Sequence, residues 1–272
     1  MIDDPASAPI QRWPTPPPPS MPEPALPPGI SPRTVTLRDG ATAATIMPFT
    51  SQDDVPASLL RFLCDLFNAE IEAGDTYPVV EPLPFDKFAA YWFQNFAAVM
   101  LLSDAETTAA GTSAVVADAD AGAADALLPP LWREDTDWAS VCLGSYYVKP
   151  NYPGRSSHVC NAGFLVAPSA RGRGVGRLLG ESYVDWAPRL GYEYSVFNLV
   201  YETNVASCRI WDALGFERIG RVKGCGRLKS YPGRKVDAIV YGRELGGEAD
   251  GGGTGDTKDV NGANSVNGTN KA

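Results

Sequence analysis

The clearest pattern of apolar and polar positions lies between residues 161 and 216. An apolar run over 162–166 is followed by a glycine-rich segment, and apolar residues then recur at helical spacing as far as Leu190. A second apolar run covers 194–201, and a second helical pattern over 204–214 ends at Gly215 and Phe216. The predicted order is strand, glycine-rich turn, helix, strand, helix. This order is typical of an α/β domain with a mixed sheet.

Shorter patterns on both sides of this stretch predict the remaining elements. Apolar residues recur at helical spacing between Leu59 and Ile71, and Gly74 ends that helix. A second helix, rich in aromatic residues, is predicted over 85–96. Apolar and β-branched runs predict strands over 34–38, 43–49, 97–102, 140–148, 217–222 and 236–241. The strands at 97–102 and 140–148 should pair as a hairpin.

Three segments lack such a pattern. Residues 1–30 are rich in proline, the segment at about 104–137 is rich in alanine, and residues 246–272 are rich in glycine and asparagine. Segments of this kind bury too little apolar surface to offset the entropy lost on ordering. We therefore expect two disordered tails, and between them one folded domain over 31–245 that carries a disordered insertion.

The composition argues against several classes of partner. The net charge of −9 at pH 7 disfavours nucleic acid and anionic membranes. No apolar run approaches the roughly 18 residues that cross a bilayer. Five cysteines without a C-x-x-C pair, and a single histidine, disfavour a zinc site, so no metal is expected. The odd cysteine count and an N-terminus unlike a targeting peptide lead us to expect reduced thiols and a cytoplasmic location.

The glycine-rich segment between the predicted strand and helix has the features of an anion site. Glycines let backbone N–H groups turn toward a phosphate, and the helix N-terminus adds partial positive charge. A P-loop would need Lys followed by Ser or Thr, which is missing here. A dinucleotide site would use Gly174, Gly176 and the acidic Glu202. Too little foldable chain follows Glu202 to complete the sheet that such a site needs.

A third interpretation rests on two motifs. Arg171-x-x-Gly174-x-Gly176 matches the R/Q-x-x-G-x-G/A turn of the GNAT acetyltransferases. The second motif of that superfamily is similar to Asn204-x-x-Ser207-x-x-Ile210-Trp211-x-x-x-Gly215-Phe216. The resemblance implies the GNAT fold, which is an α/β fold with helices on both faces of a mixed central sheet. Two parallel strands of that sheet splay apart, and acetyl-CoA enters between them.

Within this superfamily, further segments resemble the fungal azetidine-2-carboxylate N-acetyltransferases. They are Y-W-F at 91–93, K-P-N-Y at 149–152, C-N-A-G-F-L-V at 160–166, W-A-P at 186–188, F-N-L-V at 197–200 and V-D-A-I at 236–239. The resemblance implies an enzyme that acetylates small proline-like secondary amines, such as azetidine-2-carboxylate, cis-4-hydroxyproline or an intermediate of proline metabolism. A detoxifying role, a homodimer and an association with mitochondria are further implications.

The resemblance also implies roles for individual residues. Residues that would contact acetyl-CoA are Phe164, Leu165, Val166, Arg171, Gly172, Arg173, Gly174, Val175, Gly176, Asn204 and Ser207. A backbone N–H group near Phe164 or Leu165 would stabilise the oxyanion that forms from the thioester carbonyl. The catalytic candidates are Asn161, Asn204 and Leu165. The residues expected to bind the acceptor are Asn161, Asn198, Glu70 and Tyr77.

Some roles stay open at this level. Asn204 is equally suited to cap the helix that follows it. Trp211 stands where many members of the superfamily carry a tyrosine that acts as general acid, and an indole is not a useful acid. His158 and a relay of water are the alternatives for moving the proton. Two other functions compete, namely a GNAT enzyme for another amine or a protein N-terminus, and an acyl-CoA-binding module without catalysis.

Overall fold

Eight strands and five helices organise the residues that the computed structural model describes, 26–103 and 136–246. The strands are β1 Arg33–Thr36, β2 Ala43–Phe49, β3 Phe96–Leu102, β4 Cys142–Pro150, β5 Val159–Val166, β6 Tyr194–Tyr201, β7 Glu217–Gly226 and β8 Val236–Glu244. The helices are α1 Ala57–Ala73, α2 Phe85–Trp92, α3 Trp138–Val141, α4 Val175–Arg189 and α5 Val205–Ala213. Short 3-10 turns lie at Gln52–Asp54 and Pro168–Ala170.

The strands form one mixed sheet in the order β1-β2-β3-β4-β5-β6-β8-β7. The neighbours β5 and β6 are parallel, and the other neighbouring strands are antiparallel. The predicted hairpin of β3 and β4 is confirmed by their antiparallel register. The parallel pair lies inside the sheet, with β4 on the outer side of β5 and β8 on the outer side of β6. The α/β fold with a mixed central sheet is therefore confirmed.

Helices cover both faces of the sheet, and alternate residues of β4 reach opposite layers. On one face, Tyr146 packs against Tyr183 of α4, with ring centroids 6.0 Å apart. On the other face, Tyr147 packs against Trp92 of α2, with centroids 4.8 Å apart. This alternation follows from the period of two in a β-strand. The two faces are called the α4 face and the α1/α2 face below.

Helix α1 begins and ends at residues that suit those positions. It starts directly after Pro56, whose fixed φ is compatible with a helix start. It ends at Gly74, which adopts a left-handed φ of 70° and donates its N–H to the carbonyl of Glu70. Leu59, Leu63 and Phe67 recur on one side of the helix and are completely buried. Among the described residues, no helix combines the length and apolarity needed to cross a membrane.

Some boundaries differ from the sequence prediction. The helix predicted over 85–96 ends at Trp92, because Phe96 already pairs with Val148 as the first residue of β3. The strand predicted from residue 140 begins at Cys142, because Asp137 caps the short helix α3 by accepting the N–H of Ala139. The remainder of the predicted insertion lies outside the described residues. So do the predicted tails, apart from residues 26–30 and residue 246.

Gly144 on β4 provides a test of the sheet packing. A Cβ added at Gly144 would lie 2.5 Å from the carbonyl oxygen of Leu165 on the neighbouring strand. Because this oxygen belongs to a paired strand, we expect Gly144→Ala to lower the free energy of unfolding by about 1–3 kcal/mol. A Cβ added at Gly220 would lie 3.6 Å from the nearest atoms of Val240. Gly220→Ala should therefore change the free energy of unfolding by less than about 0.5 kcal/mol. Urea denaturation monitored by circular dichroism measures both, and equal destabilisation would contradict the packing described.

Candidate active site

A wedge opens where β5 and β6 separate. The parallel register includes only Val159 with Tyr194 and Cys160 with Ser195, at the start of both strands. On the far side of β6, the register with β8 shifts between Phe197 and Val200. Such a bulge bends and twists its strand, and bulges are common next to active sites. The two strands are therefore paired at one end and apart at the other, as the GNAT resemblance implies.

Hydrogen bonds to β4 show which backbone groups of β5 face the wedge. The Ala167 N–H donates to the Leu143 carbonyl, so residues of the same parity, including Leu165, point their backbone groups toward β4. The backbone groups of Ala162 and Phe164 then point toward the opening. Consistent with this alternation, the carbonyl of Phe164 accepts a hydrogen bond of 3.1 Å from the Tyr77 hydroxyl. The Phe164 N–H is therefore better placed than that of Leu165 to reach a ligand in the wedge.

The glycine-rich turn leads from β5 into α4. Gly172 and Gly174 have φ values of 76° and 88°, which a side chain would strain, and Gly174 is the N-cap of α4. The Arg173 carbonyl accepts the N–H of Arg38, which ties the turn to the loop between β1 and β2. The first N–H groups of a helix have no partner within it and attract anions. The turn therefore presents a site for a phosphate group at the open end of the wedge.

Glu70, predicted to bind the acceptor, contacts the glycine turn. Its carboxylate forms an ion pair with Arg171 and accepts a hydrogen bond of 3.0 Å from the Thr76 hydroxyl. The Arg171 side chain is 56% exposed, whereas that of Glu70 is 18% exposed. The predicted acceptor residue and the predicted phosphate-binding arginine are thus joined to each other. Tyr77, the other predicted acceptor residue on this segment, reaches the wedge directly through Phe164.

The second motif forms a compact group behind the wedge, on the α4 face. Asn204 caps α5, because its side-chain oxygen accepts the Ser207 N–H at 3.2 Å. The Trp211 indole N–H donates to the Ser207 hydroxyl at 2.8 Å. The Trp211 ring packs against Phe164 and Phe197, with centroids 4.9 and 4.5 Å apart. Asn204 therefore has a structural role as a helix cap, and Trp211 serves as an apolar wall.

Buried tyrosines near Phe164 on this face are also structural. Tyr183 shares a hydrogen bond of 2.6 Å with the Ser195 hydroxyl, and Tyr146 accepts one from Ser182. Burial raises the pKa of both phenols above their ordinary value. Both phenols therefore stay protonated at neutral pH.

Polar side chains gather on the α1/α2 face beside the wedge. Asn161 on β5 is 4% exposed, and its Oδ1 accepts the Ala162 N–H at 2.7 Å. Asn198 lies at the bulge of β6. Its Nδ2 donates to Asn151 Oδ1 at 2.6 Å, and Asn151 Nδ2 donates back to Asn198 Oδ1 at 3.2 Å. The structure thus brings two predicted acceptor residues, Asn161 and Asn198, to one side of the sheet.

Asn151 and Lys149 are members of this group that the sequence prediction did not include. Asn151 is completely buried, and Lys149 is 6% exposed. Both lie in the K-P-N-Y segment, where the residues of odd number share a face with Tyr147. The sequence signal for these two residues was their alternation with Tyr147, which places a lysine and an asparagine on the same face of β4 as an apolar residue.

Hydrogen bonds join the end of α1 to the loop between β7 and β8. The Asp75 carboxylate, just after α1, accepts the N–H of Ser230 at 3.0 Å and its hydroxyl at 2.5 Å. The neighbouring Lys229 N–H donates to the Gly74 carbonyl at 3.1 Å. Lys229 also donates its ammonium to the Glu72 carbonyl. The loop between β7 and β8 is thus joined to the end of α1.

Comparison with known proteins decides the family. A model of the acetyltransferase (GNAT) family matches residues 109–216. The N-acetyltransferase aca1 of Schizosaccharomyces pombe is 40% identical over 183 residues, which cover 67% of this chain and 78% of aca1. The chain belongs to the GNAT acetyltransferase family. Protein SPT10 of Saccharomyces cerevisiae is 35% identical over 232 residues, which cover 79% of this chain and 36% of SPT10.

Solved GNAT structures have the same fold. A GCN5-related N-acetyltransferase from Kribbella flavida is 28% identical, with a TM-score of 0.51 over 74% of this chain and 98% of that one. A GNAT phosphinothricin acetyltransferase from Sinorhizobium meliloti, solved with acetyl-CoA, has a TM-score of 0.52 at 17% identity. This match covers 78% of this chain and 93% of the Sinorhizobium meliloti enzyme. The dinucleotide-binding interpretation of the glycine turn is therefore set aside.

His158 is poorly placed as a base in this GNAT enzyme. Its side chain is exposed, and the residue precedes β5 at the end where β5 and β6 are still paired. Its backbone carbonyl accepts the Glu193 N–H at 3.0 Å. A general base must come within hydrogen-bond reach of the proton that it removes, directly or through one water. The position of His158 favours the relay of water over this histidine.

The glycine turn of the GNAT site can be tested at Gly174. An alanine at a φ of 88° is strained by about 1–2 kcal/mol, and relief of that strain would turn the N–H groups away from the phosphate site. We expect Gly174→Ala to raise the Kd for acetyl-CoA about tenfold, as measured by isothermal titration calorimetry. Gly233→Ala is the matched control, because Gly233 has a φ of 75° in open space between β7 and β8. Equal changes in Kd for both variants would contradict the assignment.

Trp211 can be tested as an apolar wall residue that takes no part in proton transfer. Trp211→Phe keeps an aromatic ring against Phe164 and Phe197 but removes the hydrogen bond to Ser207. We expect kcat to change less than about threefold and the free energy of unfolding to fall by about 1 kcal/mol. The assay is release of the free thiol as a function of pH. Loss of the alkaline or acidic limb of the wild-type pH profile in this variant would show that the indole takes part in proton transfer.

Proposed function

We propose that this chain is an acetyl-CoA-dependent N-acetyltransferase that acts on a small, proline-like secondary amine. Azetidine-2-carboxylate, cis-4-hydroxyproline and an intermediate of proline metabolism are the candidate acceptors. The observation that carries the proposal is the asparagine group beside the wedge, where the buried Asn151 and Asn161 and the half-buried Asn198 lie on the α1/α2 face. Such a group suits a small polar ligand that enters the wedge from the α1/α2 face.

The residues of the wedge suit acetyl-CoA. The helix N-terminus at Gly174 and the guanidinium of Arg171 would hold the pyrophosphate. The Phe164 N–H points into the opening, at the height where Tyr77 reaches the strand. The apolar wall formed by Phe164, Phe197 and Trp211 would exclude water from the thioester. Acetyl-CoA supplies the acetyl thioester, and this chain supplies no covalent nucleophile in the proposal.

The reaction would then be a direct displacement. The lone pair of the amine forms the new C–N bond, the C–S bond breaks, and the amine proton passes through water while the CoA thiolate accepts a proton. The Phe164 N–H would stabilise the negative charge on the carbonyl oxygen, which is a contribution that strengthens in the transition state. Holding both reactants in the wedge would supply much of the remaining rate.

The amide groups of the site support a small acceptor. The contacts of Asp75 with Ser230, and of Gly74 with Lys229, join the segment that leads to Tyr77 to the loop between β7 and β8. The site residues Asn161 and Asn198 are amides, which can bind a carboxylate or a hydroxyl without adding charge.

The decisive assay measures thiol release from acetyl-CoA with each acceptor. The panel is azetidine-2-carboxylate, cis-4-hydroxyproline, proline and a mixed pool of peptides. We expect turnover with the cyclic amino acids. Asn161→Ala and Asn198→Ala should each lower kcat/KM by at least about tenfold, because each removes a hydrogen bond in a buried site. Gln52→Ala removes an exposed amide outside the site and should leave kcat/KM unchanged.

The other outcomes are equally clear. Turnover with peptides alone would move the acceptor to a protein N-terminus. Binding of acetyl-CoA without thiol release from any acceptor would contradict the enzyme proposal and leave a binding module. Turnover that survives in both asparagine variants would keep the activity but remove these residues from the acceptor site.

A further inference from the structure

Tyr183 on α4 contacts side chains from both strands of the wedge. Its hydroxyl oxygen lies 2.6 Å from Ser195 Oγ on β6 and 3.1 Å from Cys160 Sγ on β5. All three residues are completely buried. A phenol hydroxyl can donate one hydrogen bond and accept another, so this single group bridges β5 and β6.

The bridge lies at the point where the two strands separate. Cys160 and Ser195 form the second of the two residue pairs in the parallel register, and the register of these described strands includes no later pair. A hydrogen-bonded bridge across this pair adds to the backbone pairing and resists further separation. The Tyr183 hydroxyl therefore marks the closed end of the wedge.

The ring of Tyr183 continues this contact beyond the last pair. Its centroid is 5.7 Å from that of Phe164 on β5 and 5.8 Å from that of Phe197 on β6. The rings of Phe164 and Phe197 also contact each other, with centroids 6.1 Å apart. Aromatic pairs at these separations stabilise the packing. One side chain thus contacts both strands at the closed end and along the α4 face of the wedge.

Helix α4 joins this bridge to the glycine turn. Gly174 is the N-cap of α4, and Tyr183 lies about 14 Å further along the helix, at 1.5 Å per residue. One helix therefore fixes the distance between the phosphate site and the closed end of the wedge. A ligand that is bound by its phosphate at the turn and lies in the wedge has its other end toward the bridge.

We propose that Tyr183 is a positioning residue, whose hydroxyl fixes the closed end of the wedge and so holds the Phe164 N–H where the acyl group binds. This inference rests on the acetyl-CoA site of the proposed function, and it adds a residue that lies outside both sequence motifs. Tyr183 acts through β5 and β6 and transfers no proton. Without the bridge, the acyl end of the site loses its fixed width, whereas the phosphate end at Gly174 is retained.

Amide hydrogen exchange tests the bridge in the ligand-free protein. Tyr183→Phe keeps the ring and removes only the hydroxyl. We expect exchange in segments 159–162 and 194–197 to become at least about fivefold faster, because the loss of a buried hydrogen bond makes local opening easier. Exchange in β3, which lies two strands away from β5, should stay unchanged. Mass spectrometry of proteolytic peptides measures all three segments.

Ligand binding gives a second readout. Isothermal titration calorimetry compares acetyl-CoA with ADP, which carries a pyrophosphate but has no pantetheine arm or acyl group. We expect Tyr183→Phe to raise the Kd for acetyl-CoA about fivefold and to leave the Kd for ADP unchanged. A general loss of stability would not change the ratio of the two Kd values.

Tyr146→Phe is the matched control. Tyr146 is also completely buried on the α4 face, and its ring packs against that of Tyr183. Its hydroxyl accepts a hydrogen bond from Ser182, which lies on α4 and not on a strand of the wedge. We expect Tyr146→Phe to lower the melting temperature but to leave both the exchange at 159–162 and the ratio of Kd values unchanged. Should Tyr183→Phe fail to fold, Ser195→Ala removes the same bridge from the β6 side and should produce the same two changes.

The outcomes separate this inference from the proposed function. Equal effects of Tyr183→Phe and Tyr146→Phe would contradict the positioning role, and so would wild-type exchange at 159–162 in Tyr183→Phe. Neither readout needs an acceptor amine. An absence of turnover with the cyclic amino acids would therefore count against the proposed function alone.

Discussion

The structure depends on one interruption of backbone pairing, the separation of β5 from β6 inside the sheet. Two residue pairs hold the strands together, and the remaining backbone groups on these edges face an opening. Unpaired buried backbone groups cost free energy, so the opening can persist only where the strands are held from outside. Here β4 pairs along β5 from Cys160 to Val166, and β8 pairs with β6 from Tyr194 to Tyr201.

Phe164 connects the two sides of this opening. Its side chain packs on the α4 face against Trp211, and its carbonyl accepts the hydroxyl of Tyr77 from the segment after α1. Its neighbour Gly163 points to the α1/α2 face, where an added Cβ would lie 2.4 Å from the ring of Tyr147. The alternation of one strand thus assigns an apolar wall to one face and the polar side chain of Asn161 to the other. A glycine is required where the ring of Tyr147 crosses the strand.

The sequence predicted the fold well because its signals are local. The strand, glycine turn and helix around Gly174 follow from periodicity and turn chemistry, and the capping role of Asn204 follows from its position before α5. The pairing of residues distant in the chain had no such signal. Glu70 and Arg171 are 101 positions apart, and Asn151 and Asn198 are 47 positions apart. These contacts decide the polar arrangement of the site, and they depend on how the layers pack.

The ion pair of Glu70 with Arg171 connects the glycine turn to the segment that carries Thr76 and Tyr77. Exposed ion pairs contribute about 0–1 kcal/mol, and Arg171 is more than half exposed. A pyrophosphate with two or more charge-assisted contacts would therefore compete well with Glu70 for the guanidinium. Release of Glu70 would also free the carboxylate that holds Thr76, next to Tyr77. The phosphate site is in this way connected, through Glu70 and Thr76, to the segment whose Tyr77 donates to the Phe164 carbonyl.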